Sequence, residues 1–238
     1  MKPFLILETG RPIDPLRRHG SFGHWIRVAA GLPRQQVRYC QVAQDEPLPD
    51  IGDIAGVLIT GSGAMVSDRE TWSERCAGWL HDAAEAGKPL FGICYGHQLL
   101  AHALGGTVNY NPRGREMGTV SVRLHEPAGH DPLFAGLPSE FDAHATHLQT
   151  VLAPPSGADV LARSDKDDCQ AFRWRGNVWG VQFHPEFNTH MMRGYIHARR
   201  EALHNEGTCH RLLTRAVKPA PLARRVLKRF IAQARKLG

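Results

Sequence analysis

The chain has 238 residues, 42% of them hydrophobic and 22% charged, with a formal net charge of +6. That length is about one large domain, read as a single unit over residues 1–238, and the balance is that of a globular chain rather than a disordered one. No apolar run approaches the roughly 18 residues of a membrane span. The opening "MKPFLILETG" has too short an apolar stretch for a signal peptide, so a cytoplasmic protein with no membrane partner is expected.

The charge is unevenly placed. Residues 193–238 hold 12 Lys/Arg and 2 Asp/Glu, which leaves the body before them at −4. A nucleic-acid partner would have to bind that one segment, and a single basic amphipathic helix is weak support for it. Nucleic acid is therefore not an expected partner. The five cysteines are odd in number and none is spaced C-x-x-C, so free thiols are expected rather than a disulfide framework or a zinc site.

Strand and helix patterns alternate through the first half. "PFLILE" (3–8) reads as a strand and "FGHWIRVAAG" (22–31) as a helix closed by a glycine. "VRYCQV" (37–42) and "IAGVLITG" (54–61) are strands. "TWSERCAGWLHDAAEAGK" (71–88) reads as a helix with Thr71 as N-cap, Glu74 three residues on and Gly87 at its end. "PLFGIC" and "YGHQLLAHALGG" follow as strand and helix. Continuous apolar strands between helices predict a mostly parallel sheet covered on both faces.

The second half is richer in strands. "GTVSVRLH", "EFDAHATH", "ADVLARS", "CQAFRWRG" and "VWGVQFHPE" predict an antiparallel extension whose last strand returns towards the core. A helix over 188–207 is expected, with Asn188 as N-cap. After a Pro-marked break, a basic amphipathic helix is expected at about 219–237, with Leu222, Val226, Phe230 and Ala234 on one face. Packing of that face on the body is the favoured role; docking to a partner enzyme comes second.

The chemistry concentrates in "GICYG", residues 92–96, at a strand-to-helix junction. G-x-C-x-G is the cysteine counterpart of the G-x-S-x-G nucleophile elbow. The turn leaves no room for Cβ atoms two residues before and after the cysteine. It exposes Cys94 at the carboxyl edge of the sheet, and the following helix aims its N-terminus at the sulfur, which favours thiolate. A buried structural cysteine is the competing reading. A partner base decides between them. "VWGVQFHPEF" supplies His184 and, two residues on, Glu186, with Pro185 stiffening the segment between. At the end of an extended strand these side chains would face the same way. Glu186 would then orient His184, and His184 would take the proton from Cys94.

Together, "PLFGICYGHQLLAHALGG" and "GVQFHPEF" resemble the class I (triad-type) glutamine amidotransferases, and among them the stand-alone domains similar to that of GMP synthase. The resemblance runs from Phe4 to about Tyr195. It implies a flavodoxin-like three-layer α/β sandwich and no cofactor. Cys94 would be nucleophile, His184 general base and acid, and Glu186 the orienting carboxylate. The reaction implied is attack on a glutamine side-chain amide to give a γ-glutamyl thioester and ammonia. Tyr95, with Ser62 or Gly63, would supply the oxyanion hole. Gln98, Thr146 and His147 fall at substrate-contacting positions. A separate synthetase subunit could receive the ammonia. In "THLQTV", Gln149 stands where relatives often carry an acid that meets the substrate's α-amino group. Hydrolysis of other γ-glutamyl compounds is therefore the alternative, followed by a catalytically idle regulatory role.

The 14 histidines suggest no metal. His97 and His102 are five apart, off the helical ligand spacing, and His144 and His147 fall on opposite faces of a strand. "HEPAGH" has the wrong spacing, with Pro and Gly breaking the helix that such a motif needs.

Overall fold

The structure, a computed structural model, describes residues 2–237. In chain order the first half contains β1 (Phe4–Leu7), α1 (Phe22–Ala30), β2 (Val37–Cys40), β3 (Gly56–Ile59), α2 (Thr71–Glu85), β4 (Leu90–Ile93), α3 (Tyr95–Ala103) and β5 (Thr107–Tyr110). The second half contains β6 (Glu116–Leu124), β7 (Glu140–His147), β8 (Gln149–Ala153), β9 (Ala158–Arg163), β10 (Ala171–Trp174) and β11 (Val178–Val181). Four helices follow: α4 (Thr189–Ala198), α5 (Arg200–Asn205), α6 (His210–Ala216) and α7 (Pro221–Leu237).

The main sheet has nine strands in the order β2-β1-β3-β4-β11-β10-β9-β6-β7. The five from β2 to β11 are parallel. The other four extend the sheet antiparallel from β11. This is the flavodoxin-like α/β sandwich with its antiparallel extension.

Alternation along each strand sorts side chains to two buried faces. Phe4, Ile6, Leu58, Phe91, Ile93, Trp179 and Val181 pack with α1 and α7. Leu5, Leu7, Val57, Ile59, Leu90 and Val178 pack with α2 and α3. Residues buried on both faces explain why the central strands read as unbroken apolar runs. α7 begins at Pro221, two residues later than the pattern suggests. Its Val226, Leu227, Phe230 and Ile231 are buried, and the Phe230 ring meets Phe91 and Trp179 at centroid distances of 5.0 and 6.0 Å. The apolar face of the basic helix is thus part of the core.

Several local expectations are corrected. Thr71 is the first helical residue, not the cap. Glu70 precedes it with no side-chain cap. Glu74 is drawn instead to Arg69 (2.9 Å) and, across to α3, His102 (3.0 Å). Gly87 does end α2 in the left-handed region, at φ 74. Asn188 caps α4 by accepting from the Met191 N–H, but the helix breaks at Arg199, and α5 turns so that Leu203 joins Leu16, Met192 and Tyr195 in a third apolar cluster. The short helix α6 and the two-stranded sheet β5-β8, which packs beside α3, are additions to the expected elements.

Candidate active site

The carboxyl ends of β3, β4 and β11 converge on one cleft. Register sets this geometry: β11 pairs with β4 as Val181↔Ile93, and the Cys94 N–H donates to the Val181 carbonyl at 2.9 Å. Cys94 is the N-cap of α3, at φ 53 and ψ −103, a strained backbone for a residue with a side chain. The flanking glycines are obligatory. A Cβ on Gly92 would run into the Gly96 carbonyl, and one on Gly96 would sit 2.6 Å from the Ile59 carbonyl oxygen. The chain is pinned tightly here, and Cys94 sits at the α3 N-terminus buried, only 6% exposed, rather than exposed as the sequence suggests.

His184 arrives from β11. The strand ends at Val181, three residues earlier than the sequence suggests, and His184 and Glu186 lie in a turn rather than on an extended segment. The turn is closed by the Phe187 N–H on the His184 carbonyl (3.4 Å). The His184 N–H is anchored to the His144 carbonyl of β7 (2.7 Å). The turn still brings the two side chains together: His184 Nδ1 is 2.8 Å from Glu186 Oε1, with both residues buried. Phe187 stacks on the His184 ring at 4.1 Å, and Tyr195 stacks behind Phe187 at 5.0 Å. The ring is therefore held by a carboxylate on its edge and an aromatic on its face.

Gly61, just past β3, locates the cysteine relative to the histidine. A Cβ there would meet His184 Cε1 at 3.1 Å and Cys94 Cβ at 3.7 Å. The residue thus stands in the corner between the two, where even a methyl would press on the His184 ring. Burial opposes charge on the His184 ring, but the Glu186 carboxylate and the Cys94 sulfur outweigh it and raise its pKa. Among the described residues, His184 Nε2 has no hydrogen-bond partner. It is the nitrogen left for a reacting group.

Beside Cys94 lie two small connected spaces of about 80 and 60 Å³, both lined by Ser62, Gly63, Thr146 and Arg199. Tyr95, Gln98, His147 and Gln149 border the first of them. As the first helical residue, Tyr95 has an N–H that its own helix leaves unclaimed. Gln98 is tied into the wall, donating from Nε2 to the Gln149 carbonyl (2.7 Å) and to Gln182 Oε1 (2.9 Å). The Thr146 carbonyl faces the Cys94 sulfur at 3.9 Å. Gln149 is locked by Ser67, whose N–H donates to its Oε1 and whose hydroxyl accepts from its Nε2.

His147 borders the cleft, but both ring nitrogens are engaged: Nδ1 with the Gln149 carbonyl (2.9 Å) and Nε2 with Glu116 (3.0 Å). Burial opposes ionisation of this pair, yet each partner favours the other's charged form, raising the His147 pKa and lowering that of Glu116. Ser164 and Gln170 complete the network around Glu116. Arg11, Arg115 and Arg199, which no sequence motif marks, add cations to the cleft, Arg115 being held by the Glu206 carboxylate at 3.0 Å. No Asp or Glu is among the residues lining it. Among the described residues no group of three or more His, Cys, Asp or Glu is placed to hold a metal ion, and no helix is long and apolar enough to cross a membrane.

The chain matches a known family model, glutamine amidotransferase class-I, over residues 20–200. The chain belongs to the class I glutamine amidotransferase family. It is 36% identical over 173 residues to a glutamine-hydrolysing GMP synthase of Aeropyrum pernix, a match covering 69% of this chain and 31% of that protein. It is 33% identical over 187 residues to a candidate glutamine amidotransferase of Saccharomyces cerevisiae, covering 71% of this chain and 73% of that one. The chain thus spans less than a third of the GMP synthase it matches. In fold it is similar to a glutamine amidotransferase of Thermotoga maritima (TM-score 0.78, 19% identity, 99% of both chains). It is equally similar to one of Methylobacillus flagellatus (TM-score 0.78, 24% identity, 98% of this chain and 95% of that one).

Proposed function

We propose that the chain, as one domain, hydrolyses a γ-glutamyl amide through a thioester on Cys94. The observation that carries this is the grouping of the Cys94 elbow and the His184–Glu186 pair around the side-chain-free corner at Gly61. The Cys94 sulfur attacks the amide carbon, and the carbonyl electrons move onto oxygen. The Tyr95 amide at the α3 N-terminus, with a backbone N–H at Ser62 or Gly63, meets that oxyanion. His184, having taken the thiol proton, returns it to the departing nitrogen, and ammonia leaves. His184 then deprotonates a water, which attacks the thioester. Collapse of that second intermediate frees glutamate and restores the thiol. Glu186 keeps the ring oriented and supports its positive charge throughout.

Free glutamine is the first substrate to test. A second reading, hydrolysis of other γ-glutamyl compounds, is favoured by one feature: Gln149 is neutral and locked, and the cleft offers arginines but no carboxylate to an α-amino group. Glutamine and a γ-glutamyl dipeptide, assayed side by side for glutamate release, separate the two. The amidotransferase reading expects glutamine to be turned over at least as efficiently. Release from neither substrate overturns both and leaves a catalytically idle regulatory chain. Matches to much longer GMP synthases support a separate synthetase chain as the ammonia acceptor. A thiol nucleophile and unpaired cysteines suit a reducing, cytoplasmic setting.

A further inference from the structure

A separate cavity of about 540 Å³, with neither Cys94 nor His184 in its lining, lies between the loop that follows Glu186 and the start of α7. Its walls are of three kinds. Phe187, Pro219, Ala220 and Pro221 are apolar. Asn188 and Thr189 present the N-terminus of α4, a ten-residue helix whose first amides have no partner within the helix. The adjacent Arg224 and Arg225, and Lys228 one turn further on, line the cavity from α7.

The charge at this site is unbalanced. Neighbouring cations are used up: Lys218 pairs with Asp142 at 2.9 Å, and Arg229 donates to the carbonyls of Leu133 and Ala135. Among the described residues, Arg224, Arg225 and Lys228 have no such partner, and no Asp or Glu lines the cavity. Like charges gathered around a concave surface repel unless an anion offsets them.

The inner wall carries a second, independent sign. His144 is fully buried; its Nδ1 is 3.2 Å from Thr119 Oγ1, and among the described residues its Nε2 has no partner. Thr119 Oγ1 also accepts the Lys218 N–H (3.3 Å). His144 Nε2 is thus a buried polar atom without a partner, costly unless something supplies one. Burial holds the His144 pKa down to about 4, so the ring is uncharged at neutral pH.

We propose that this cavity binds a small phosphorylated molecule, its phosphate set against the α4 N-terminus and the three α7 cations, with His144 at the inner wall and its apolar part on Phe187 and the prolines. A helix N-terminus with flanking cations is a physical match for phosphate, and the volume exceeds what a lone inorganic ion would fill. The site shares two elements with the seat of His184: Phe187 stacks on that ring, and the His144 carbonyl accepts its N–H. An occupant therefore touches both supports of the catalytic base.

The test is calorimetric titration of the full chain, without substrate, with inorganic pyrophosphate and with phenyl phosphate. Binding is thus read independently of whether Cys94 is catalytic. Saturable binding of either probe, one per chain, is expected. Triple replacement R224A/R225A/K228A should weaken it by about tenfold or more. Ala220→Trp, which fills the cavity and keeps every charge, should abolish it. Circular dichroism confirms that the variants are folded, and His144→Gln provides a further probe of the inner wall. No saturable binding of either probe overturns the proposal. So does binding that survives Ala220→Trp, which would mark surface charge or an acidic segment of a partner protein as the true match.

Discussion

Glu186 Oε1 lies 2.8 Å from His184 Nδ1, inside a turn where both residues are buried. This contact fixes which nitrogen faces the cleft: with Nδ1 held by the carboxylate, Nε2 is the one left over. It is also the largest force opposing burial in raising the His184 pKa. Glu186→Gln keeps the shape and removes the charge. We expect kcat to fall on the order of 10²–10⁴-fold with little change in KM. His184, followed by NMR, should lose its proton at a lower pH than in the parent. An unchanged titration would contradict the role given to Glu186.

The elbow glycines give a stability prediction. Gly96→Ala would place a methyl 2.6 Å from the Ile59 carbonyl oxygen, a backbone atom that cannot step aside. A loss of about 2 kcal/mol or more is expected in urea unfolding, together with lost activity as Cys94 shifts. Gly63→Ala is the control, since a Cβ at Gly63 meets nothing within 4 Å. Equal stability losses in the two variants would contradict the account of the turn.

Gln149 gives a specificity prediction. Gln149→Glu preserves the contact with the Ser67 N–H and hydroxyl while placing a carboxylate at the wall of the cleft. A new charged contact to an α-amino group is worth about 1.4 kcal/mol or more, roughly tenfold in KM. The KM for glutamine should fall by that amount, with kcat nearly unchanged. A rise in KM would show that the α-amino group is held elsewhere.

Two buried histidines set an acid limit on stability. Burial lowers the pKa of His97 to about 3 and that of His144 to about 4, against the usual 6.5. Below about pH 6.5 the unfolded chain binds protons that the folded chain refuses, so stability falls as pH drops towards 4. His184 and His147 shift the other way; their contribution is complete below 6.5 and is lost only as pH rises through their raised values. They therefore do not cancel the acid slope. His97 packs against Phe172 at 5.0 Å, and His97→Phe should flatten that slope by up to about 1.4 kcal/mol per pH unit. Parallel slopes in parent and variant, measured by urea unfolding from pH 7 to about 4, would contradict this.

The parts that sequence made legible are those governed by local rules. Strand runs such as "FLIL" and "GVLI" are buried on both faces, so composition alone reveals a parallel core. Gly92 and Gly96 mark the elbow because the steric reason for them is local. Features that depend on distant partners were hidden. β5 pairs with β8 about forty residues later, and neither strand has a strong pattern of its own. Thr71 looks like a cap until Glu74 is seen bound to Arg69 and His102. That Glu116 and the Gln149 carbonyl hold both ring nitrogens of His147 could not be read from its sequence neighbours. Arg115 and Arg199 reach the cleft from segments that carry no motif, and no periodicity could have placed them there.

The most direct measurement of the central claim is intact-protein mass spectrometry of a quenched reaction with glutamine or a γ-glutamyl dipeptide, followed by peptide mapping. The account predicts a γ-glutamyl adduct on the peptide that contains Cys94, with neither adduct nor glutamate release in Cys94→Ala. Undiminished glutamate release by Cys94→Ala, or release by the parent with the adduct mapped to another cysteine, would contradict it.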